Sequence, residues 1–543
     1  MLGKMMDFPL TITAIMRHIE RVYPRAELVS VTRENPRQRY RYQDAFQRVR
    51  QLANALQGLG VERGDRIATL AWNDHRHFEL YYAVPCSGLV LHTINPRLFP
   101  DQIAYIIGHA EDRWLFVDPQ FLPLLEQLKD RPELRRLQGF IVLAARAPMP
   151  ATTLPNVLCY EELLAAQPDT FEWPVLDEQA ASGLCYTSGT TGNPKGVLYS
   201  HRSTVLHAMG AAAGTVTGFT GDAVVMPVVP MFHVNAWGMP YVAPMAGAKL
   251  VLPGGKMGDG PTLAALISEE NITFALGVPT VWMAVLAHLD ETGGALPSLQ
   301  RLVTGGTTVP PSLLQAFARR NVYMQVGWGM TETSPFGTLN SPLDWIRELP
   351  GEERFHYQAR AGRPLFGVDM KIVDPDGAEL PWDGHHSGTL KVRGPWIAGG
   401  YFGLDESAAH DADGWFDTGD VAAIDEHGCL QITDRVKDMV KSGGEWISSI
   451  EVECAAMAHP AVAEAAVVGL HHEKWTERPL LVVVLRPGQT PSKQEILGSL
   501  EGRIARWWIP DDCVFVDEIP HTATGKVSKK TLREQFDGYR WPG

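Results

Sequence analysis

Short apolar strands alternate with helix-spaced segments through most of this chain, and that alternation limits the fold more than any other feature. Residues 40–60, "YRYQDAFQRVRQLANALQGLG", put apolar side chains at helical spacing and end in glycine. "DRIATLAW" then reads as a short buried strand, "HFELYYAVPCSG" as a helix and "LVLHTIN" as a strand, and "AYIIGHA" with "WLFVD" repeats the pair. The rhythm returns at "TLAALISEENITFALGVP" and at "LLQAFARRNVYMQVGWG". Such alternation predicts an α/β protein with largely parallel sheets and helices on their faces. Ligands in such folds sit where loops leave the carboxyl ends of the strands.

The pattern changes after about residue 365. "DMKIVDPDGAEL", "GTLKVRG" and "GWFDTGDVAAIDEHGCLQITDR" predict antiparallel strands joined by Asp-Gly turns, a β-rich subdomain of the larger unit. "VKDMVKSGGEWISSIEVECAAMAHP" then reads as strand, turn and helix, opening a small α+β domain. The expected division is a large N-terminal domain over 1–434 and a small C-terminal domain over 435–543. Residues 435–543 hold 14 Lys/Arg and 15 Asp/Glu, whereas the first part holds 34 and 47, so a nearly neutral unit follows an acidic one. A chain of 543 residues is too long for one ordinary core.

The net charge of −14 argues against nucleic acid as a bulk partner. The six cysteines, at 86, 159, 185, 429, 454 and 513, form no CxxC pair and signal neither a zinc site nor a disulfide framework. Lys4, Asp7 and Arg17 interrupt the N-terminal segment, which lacks the apolar centre of a signal peptide. No window is apolar enough to span a membrane. A cytoplasmic protein is expected, with peripheral membrane contact left open.

Five polar motifs stand between the apolar runs. "YTSGTTGNPKGVLYSH", Tyr186 to His201, crowds hydroxyls, glycines and a lysine into one loop, which suits phosphate. Its spacing is not that of a Walker loop, and alone it also fits a glycine-rich turn. "GWGMTE", Gly327 to Glu332, follows the strand "VYMQV". Trp328 offers a ring to a purine, and Thr331 and Glu332 offer a hydroxyl and a carboxylate to phosphate and Mg²⁺. In "GWFDTGD", Asp420 can accept from ribose hydroxyls or simply close a hairpin. "DRVKDMVKSGGEWISS" surrounds a Gly-Gly pair with charge, a plausible pivot, and "TATGKVSKK" presents Lys526 in a turn before a basic helix.

In this order and spacing the set closely resembles the adenylate-forming superfamily, over essentially the whole chain. "PVVPMFHVNAWG", "HTINPRL" and "KSGGEWISSIE" are similar to the medium- and long-chain fatty acyl-CoA synthetase group. "MLGKMM" and "ARWWIPD" bring the likeness nearest to the bacterial medium-chain synthetases associated with alkane oxidation. The resemblance implies a small mobile C-terminal lid on a large α/β domain, ATP and coenzyme A as co-substrates, Mg²⁺ as cofactor, and a homodimer.

It also implies roles for particular residues. Thr187, Ser188, Gly189, Thr190, Thr191, Gly192 and Lys195 match the triphosphate loop, and Thr187 with Glu332 matches the Mg²⁺ pair. Gly306 and Gly327, Trp328, Gly329, Met330 and Thr331 match the wall around the adenylate, with Trp328 where many relatives carry tyrosine. Asp420 and Arg435 match the ribose contacts. Lys437 matches the hinge, often aspartate elsewhere. Lys441 and Trp446 match a segment that approaches the adenylate from the smaller domain, and Gly443-Gly444 a narrow pantetheine channel. Lys526 matches the lysine of the adenylation step, so Lys526, Glu332 and Thr331 are the expected catalytic set.

The implied chemistry accounts for these residue types. A carboxylate oxygen attacks the α-phosphorus of ATP and expels pyrophosphate. Charge crowds the reacting centre, so cations and oriented donors supply the catalysis. Coenzyme A thiol then takes the acyl group and AMP leaves, with no side-chain nucleophile. His233, Val234 and Trp237 are the expected acyl-binding residues, His233 as base or as pocket lining and Trp237 as a gate. The substrate implied is a medium-chain fatty acid, with a long-chain acid, methylthiopropionate or transfer to a carrier protein as alternatives. A catalytically silent nucleotide binder is the rival from another class; intact Glu332 and Lys526 argue against it.

Overall fold

The computed structural model of the chain describes all residues except 2, 147–148, 188–192, 405–407, 444, 523–525 and 542–543. Two large sheets carry the body of the protein. A nine-stranded sheet is parallel through its middle, from Glu27–Ser30 across Lys249–Leu252, Val224–Pro227, Phe274–Leu276 and Arg301–Gly305 to Tyr323–Gly329. Antiparallel strands close both of its edges. A seven-stranded sheet is parallel throughout except for its edge strand Gly196–Ser200. The expected α/β class and the expected helix–strand alternation are both present.

The 40–60 segment begins differently from its sequence reading. Gln38–Arg41 is a strand paired with Glu27–Ser30, and the helix starts at Tyr42. The Asp44 carboxylate accepts the Arg41 N–H at 3.1 Å and fixes that start. This helix packs on His75–Cys86, all 12 residues of which are buried. Tyr42, Phe46, Phe78, Tyr82 and Tyr241 interlock around it. A helix buried on every side must pair its polar groups. Glu79 does so by accepting from Tyr40 Oη (2.8 Å), Tyr160 Oη (2.6 Å) and Arg48 Nε (2.7 Å).

The β-rich part is a four-stranded antiparallel sheet of Asp369–Val373, Ser387–Arg393, Phe416–Ile424 and Leu430–Arg435. The expected Asp376-Gly377 turn forms, with the Gly377 N–H donating to the Asp374 carbonyl at 3.0 Å and Asp374 Oδ1 accepting the N–H groups of Asp376 and Ala378. It folds the chain back to bridge Val373 with Glu379, and the second strand begins only at Ser387. The C-terminal sheet gathers Val440–Ser442, Glu445–Ile447, Val462–His472, Thr476–Leu485 and Asp512–Phe515, flanked by the helices Ser449–Met457 and Lys529–Gln535. The chain changes sheets between Arg435 and Val440. Arg435 itself still pairs with Asp420, so the four-stranded sheet runs one residue past the expected 434/435 division.

Candidate active site

Parallel strands of both large sheets deliver their carboxyl ends to one cleft of ≈ 500 Å³. From the seven-stranded sheet, Val90–Thr93 leads to Asn95 and Arg97, and Ala181–Tyr186 leads to Thr187. From the nine-stranded sheet, Val224–Pro227 leads to Val228–Val234, Arg301–Gly305 to Gly306, and Tyr323–Gly329 to Met330–Glu332. Arg435 and Lys526 approach from beyond the large sheets. The ligand position expected of doubly wound sheets is therefore met twice.

Of the residues singled out in the sequence, Thr187, Lys195, His233, Val234, Trp237, Gly306, Gly327, Trp328, Gly329, Met330, Thr331, Glu332, Arg435 and Lys526 line this cleft. Asp420 stands one bond behind it. Its Oδ2 accepts the Trp328 indole N–H at 2.8 Å, and its Oδ1 pairs with Arg435 Nε at 2.7 Å. Lys437, Lys441, Gly443 and Trp446 do not line the cleft. Lys441 and Trp446 pair with each other across a hairpin, the ammonium 5.5 Å from the ring centroid. Gly443 adopts φ 61°, and a Cβ there would meet the Trp475 ring at 2.9 Å. Ser188, Gly189, Thr190, Thr191, Gly192 and Gly444 lie outside the described residues.

Burial raises the Glu332 pKa, and a hydrogen bond from Tyr401 Oη to its Oε1 at 2.7 Å works against that rise. Lys526 is lowered to about 8 by burial and by the Arg435 charge, with Asp420 and Glu332 pulling the other way. His233 is lowered to about 3 by burial, then by the Lys526 and Arg97 charges, so its ring is neutral. The sequence singled out neither Tyr401 nor Arg97 as a site residue. "HTINPRL" carried the signal for Arg97, whereas Tyr401 reaches Glu332 only through the fold.

The cleft wall also has apolar members, among them Phe232, Val234, Val281 and Phe336. Trp237 meets Phe336 edge to face at 5.8 Å. Val234, Asn235, Ala236 and Trp237 have φ of 46°, 50°, 48° and 54°, a left-handed turn of four L-residues. Each costs roughly 1–2 kcal/mol, so packing must hold the turn. Tyr81 Oη donates to Asn235 Oδ1 at 3.2 Å, and the Ala236 N–H donates to the Pro230 carbonyl at 3.2 Å.

A family model described as "AMP-binding enzyme" matches residues 17–402, and its companion "AMP-binding enzyme C-terminal domain" matches residues 451–526. The 3-methylmercaptopropionyl-CoA ligase of Ruegeria lacuscaerulensis is 49% identical over 537 residues, covering 99% of each chain. The medium-chain-fatty-acid–CoA ligase of Ectopseudomonas oleovorans is 46% identical, covering 99% of this chain and 98% of its own. The long-chain-fatty-acid–CoA ligase of Thermus thermophilus is also 46% identical, covering 98% and 97%. Among solved structures, the anthranilate CoA ligase AuaEII in complex with anthranoyl-AMP superposes with a TM-score of 0.86 at 26% identity, covering 98% of each chain. The chain belongs to the AMP-binding enzyme family of adenylate-forming acyl-CoA ligases. Its reaction is that of an AMP-forming acid–thiol ligase, with ATP and coenzyme A as substrates. Among the described residues no helix is long and apolar enough to cross a membrane.

Proposed function

We propose that this ligase activates straight-chain aliphatic acids of medium length. The observation that carries the reading is one cleft lined both by Thr187, Lys195 and Lys526 and by the apolar side chains of Val234, Trp237 and Phe336. The 46% identity to a medium-chain ligase supports it. A second reading, 3-methylmercaptopropionate, is favoured by the 49% relatives and by the Trp237–Phe336 ring pair, which shortens the space for a tail.

The test is kcat/KM across straight-chain acids from butanoate to stearate, with 3-methylmercaptopropionate alongside. Each buried methylene adds ~0.8 kcal/mol, about fourfold per carbon, until the tunnel ends. Trp237→Ala is expected to flatten that series by opening the apolar wall. An unchanged series in the variant would remove Trp237 from the acyl site. An optimum at acetate or at an aromatic acid would sink the aliphatic reading.

In the proposed mechanism, Arg435, backed by Asp420, holds the ribose, Trp328 and Gly306 flank the adenine, and the loop from Thr187 to Lys195 grips the triphosphate. Lys526 places its ammonium at the α-phosphate. Glu332 fits a cation: it is a buried carboxylate that lines the same cleft as the Thr187 hydroxyl, a set of hard oxygen donors. Among the described residues no three His, Cys, Asp or Glu side chains gather around it. That arrangement suits Mg²⁺, held by Glu332, Thr187, phosphate and water. When bound, Mg²⁺ would neutralise phosphate charge. Neutral His233 lines the acyl end and takes no proton.

Lys526 must be protonated to act, and burial lowers its pKa to about 8. The cation is present below that pH and lost as pH rises through it. The kcat/KM for ATP, which reports the free enzyme, should therefore fall above about pH 8. Lys526→Arg should move this limb to higher pH; a limb that stays in place belongs to another group.

We also propose that the small domain pivots between Arg435 and Val440, at Lys437, to exchange the Lys526 face for the Lys441–Trp446 hairpin. In the present arrangement Lys526 lines the cleft and the hairpin does not. Lys437→Pro should slow thioester formation more than adenylation, because proline fixes φ and removes a donor. Single-turnover rates of each step check this, and a pure adenylation defect would place the hinge elsewhere.

A further inference from the structure

Arg97 has no assigned role, yet it stands in the cleft wall. It follows the strand Val90–Thr93, which runs parallel to Ala181–Tyr186 with Thr93 paired to Cys185. The two chain segments that leave these strand ends, one carrying Arg97 and the other opening at Thr187 into the glycine-rich loop, therefore depart side by side. The Arg97 N–H donates to Asn95 Oδ1 at 3.0 Å, which turns the chain toward the cleft. The guanidinium lies over the Phe232 ring, 5.9 Å from its centroid.

The charge around the cleft is unbalanced. Among the described residues, Arg97, Lys195, Arg435 and Lys526 line it against one carboxylate, that of Glu332. Arg435 is paired with Asp420. No carboxylate forms an ion pair with Arg97 among the described residues, and the residue is exposed. A guanidinium in the cleft wall without a counter-ion is open to an entering anion. Both Arg97 and Lys526 act electrostatically on His233, so the two cations converge on one region of the cleft.

We propose that Arg97 contacts the terminal phosphates of ATP, and hence the pyrophosphate that leaves. During adenylation a substrate carboxylate oxygen bonds to the α-phosphorus and the bond from that phosphorus to the β-bridging oxygen breaks. The electron pair departs on pyrophosphate, and no proton is exchanged. Arg97 meets that growing charge from the strand end beside the phosphate loop, with the planar fork that suits phosphate oxygens. This role rests on the adenylate-forming reaction and not on which acid is activated.

The test titrates ATP and AMP separately into wild type, Arg97→Gln and Arg97→Lys, without any acid present. Arg97→Gln should weaken ATP binding about 10- to 100-fold while AMP binding changes by less than about twofold. Product inhibition by pyrophosphate should weaken in parallel, and thioester formation from supplied acyl adenylate should be retained. Arg97→Lys, which keeps charge but loses the fork, should recover part of the ATP affinity. Equal weakening of ATP and AMP would overturn the assignment, as would unchanged ATP binding with a raised KM for the acid, which would make Arg97 a carboxylate contact. Because the binding arms contain no acid, an error in the proposed acyl specificity cannot imitate either result.

Discussion

Replacing Lys526 by alanine is expected to lower the rate of adenylate formation by at least about 10²–10³, while thioester formation from supplied acyl adenylate and coenzyme A continues. The lysine is half-buried in the cleft wall near Arg435, Asp420 and Glu332, ahead of the helix Lys529–Gln535. The Thr522 N–H donates to the Lys526 carbonyl at 2.6 Å, and the Lys526 N–H donates back to Thr522 Oγ1 at 3.2 Å, which holds the turn. In the first half-reaction the α-phosphorus is itself the reacting centre, whereas in the second the thiol attacks the acyl carbon and AMP only leaves, so the first step depends most on an ammonium at the α-phosphate. Single-turnover assays of each half-reaction separate the outcomes. Equal loss in both would mean that Lys526 shapes the cleft rather than serving adenylation.

Gly329→Ala is expected to impair both half-reactions together, the opposite signature. Gly329 ends the strand Tyr323–Gly329, where the register against Phe336–Leu339 shifts. A Cβ at this position would lie 1.8 Å from the Pro335 carbonyl oxygen. That neighbour is backbone and cannot rotate away, so the strand must move. The movement carries Trp328 off Asp420 and displaces Met330, Thr331 and Glu332. AMP affinity should fall at least about tenfold, the cost of roughly one lost buried hydrogen bond to a charged group. Titration of AMP into the folded variant reads this directly, and wild-type affinity would show that the adenylate wall tolerates the shift.

These two residues also show what could be read before the fold was known. The alternation from "DRIATLAW" to "WLFVD" specified a parallel α/β body, because a strand buried on both faces is apolar throughout and its crossover helix is periodic. The polar loop at Tyr186–His201, "GWGMTE" and "TATGKVSKK" announced their chemistry locally, since glycine, hydroxyl and charge are costly to cluster without a use. Those motifs also carried the family resemblance.

Other features were settled only when distant segments met. Tyr401 holds Glu332 across 69 positions of sequence, and nothing around "GGYFG" points to a carboxylate. Trp328 and Asp420 bond across 92 positions, which turns an ordinary hairpin aspartate into the support of the adenylate wall. Arg97 is one arginine among many in the sequence. Strand order sets its chain segment beside the one that leaves at Thr187, because Val90–Thr93 neighbours Ala181–Tyr186 in the sheet. Local sequence determines which segments are strands, helices and polar loops, through periodicity and backbone preference. Which strand ends share a cleft, and which charges there lack a partner, depends on sheet order and burial, and those arise only from the packed tertiary structure.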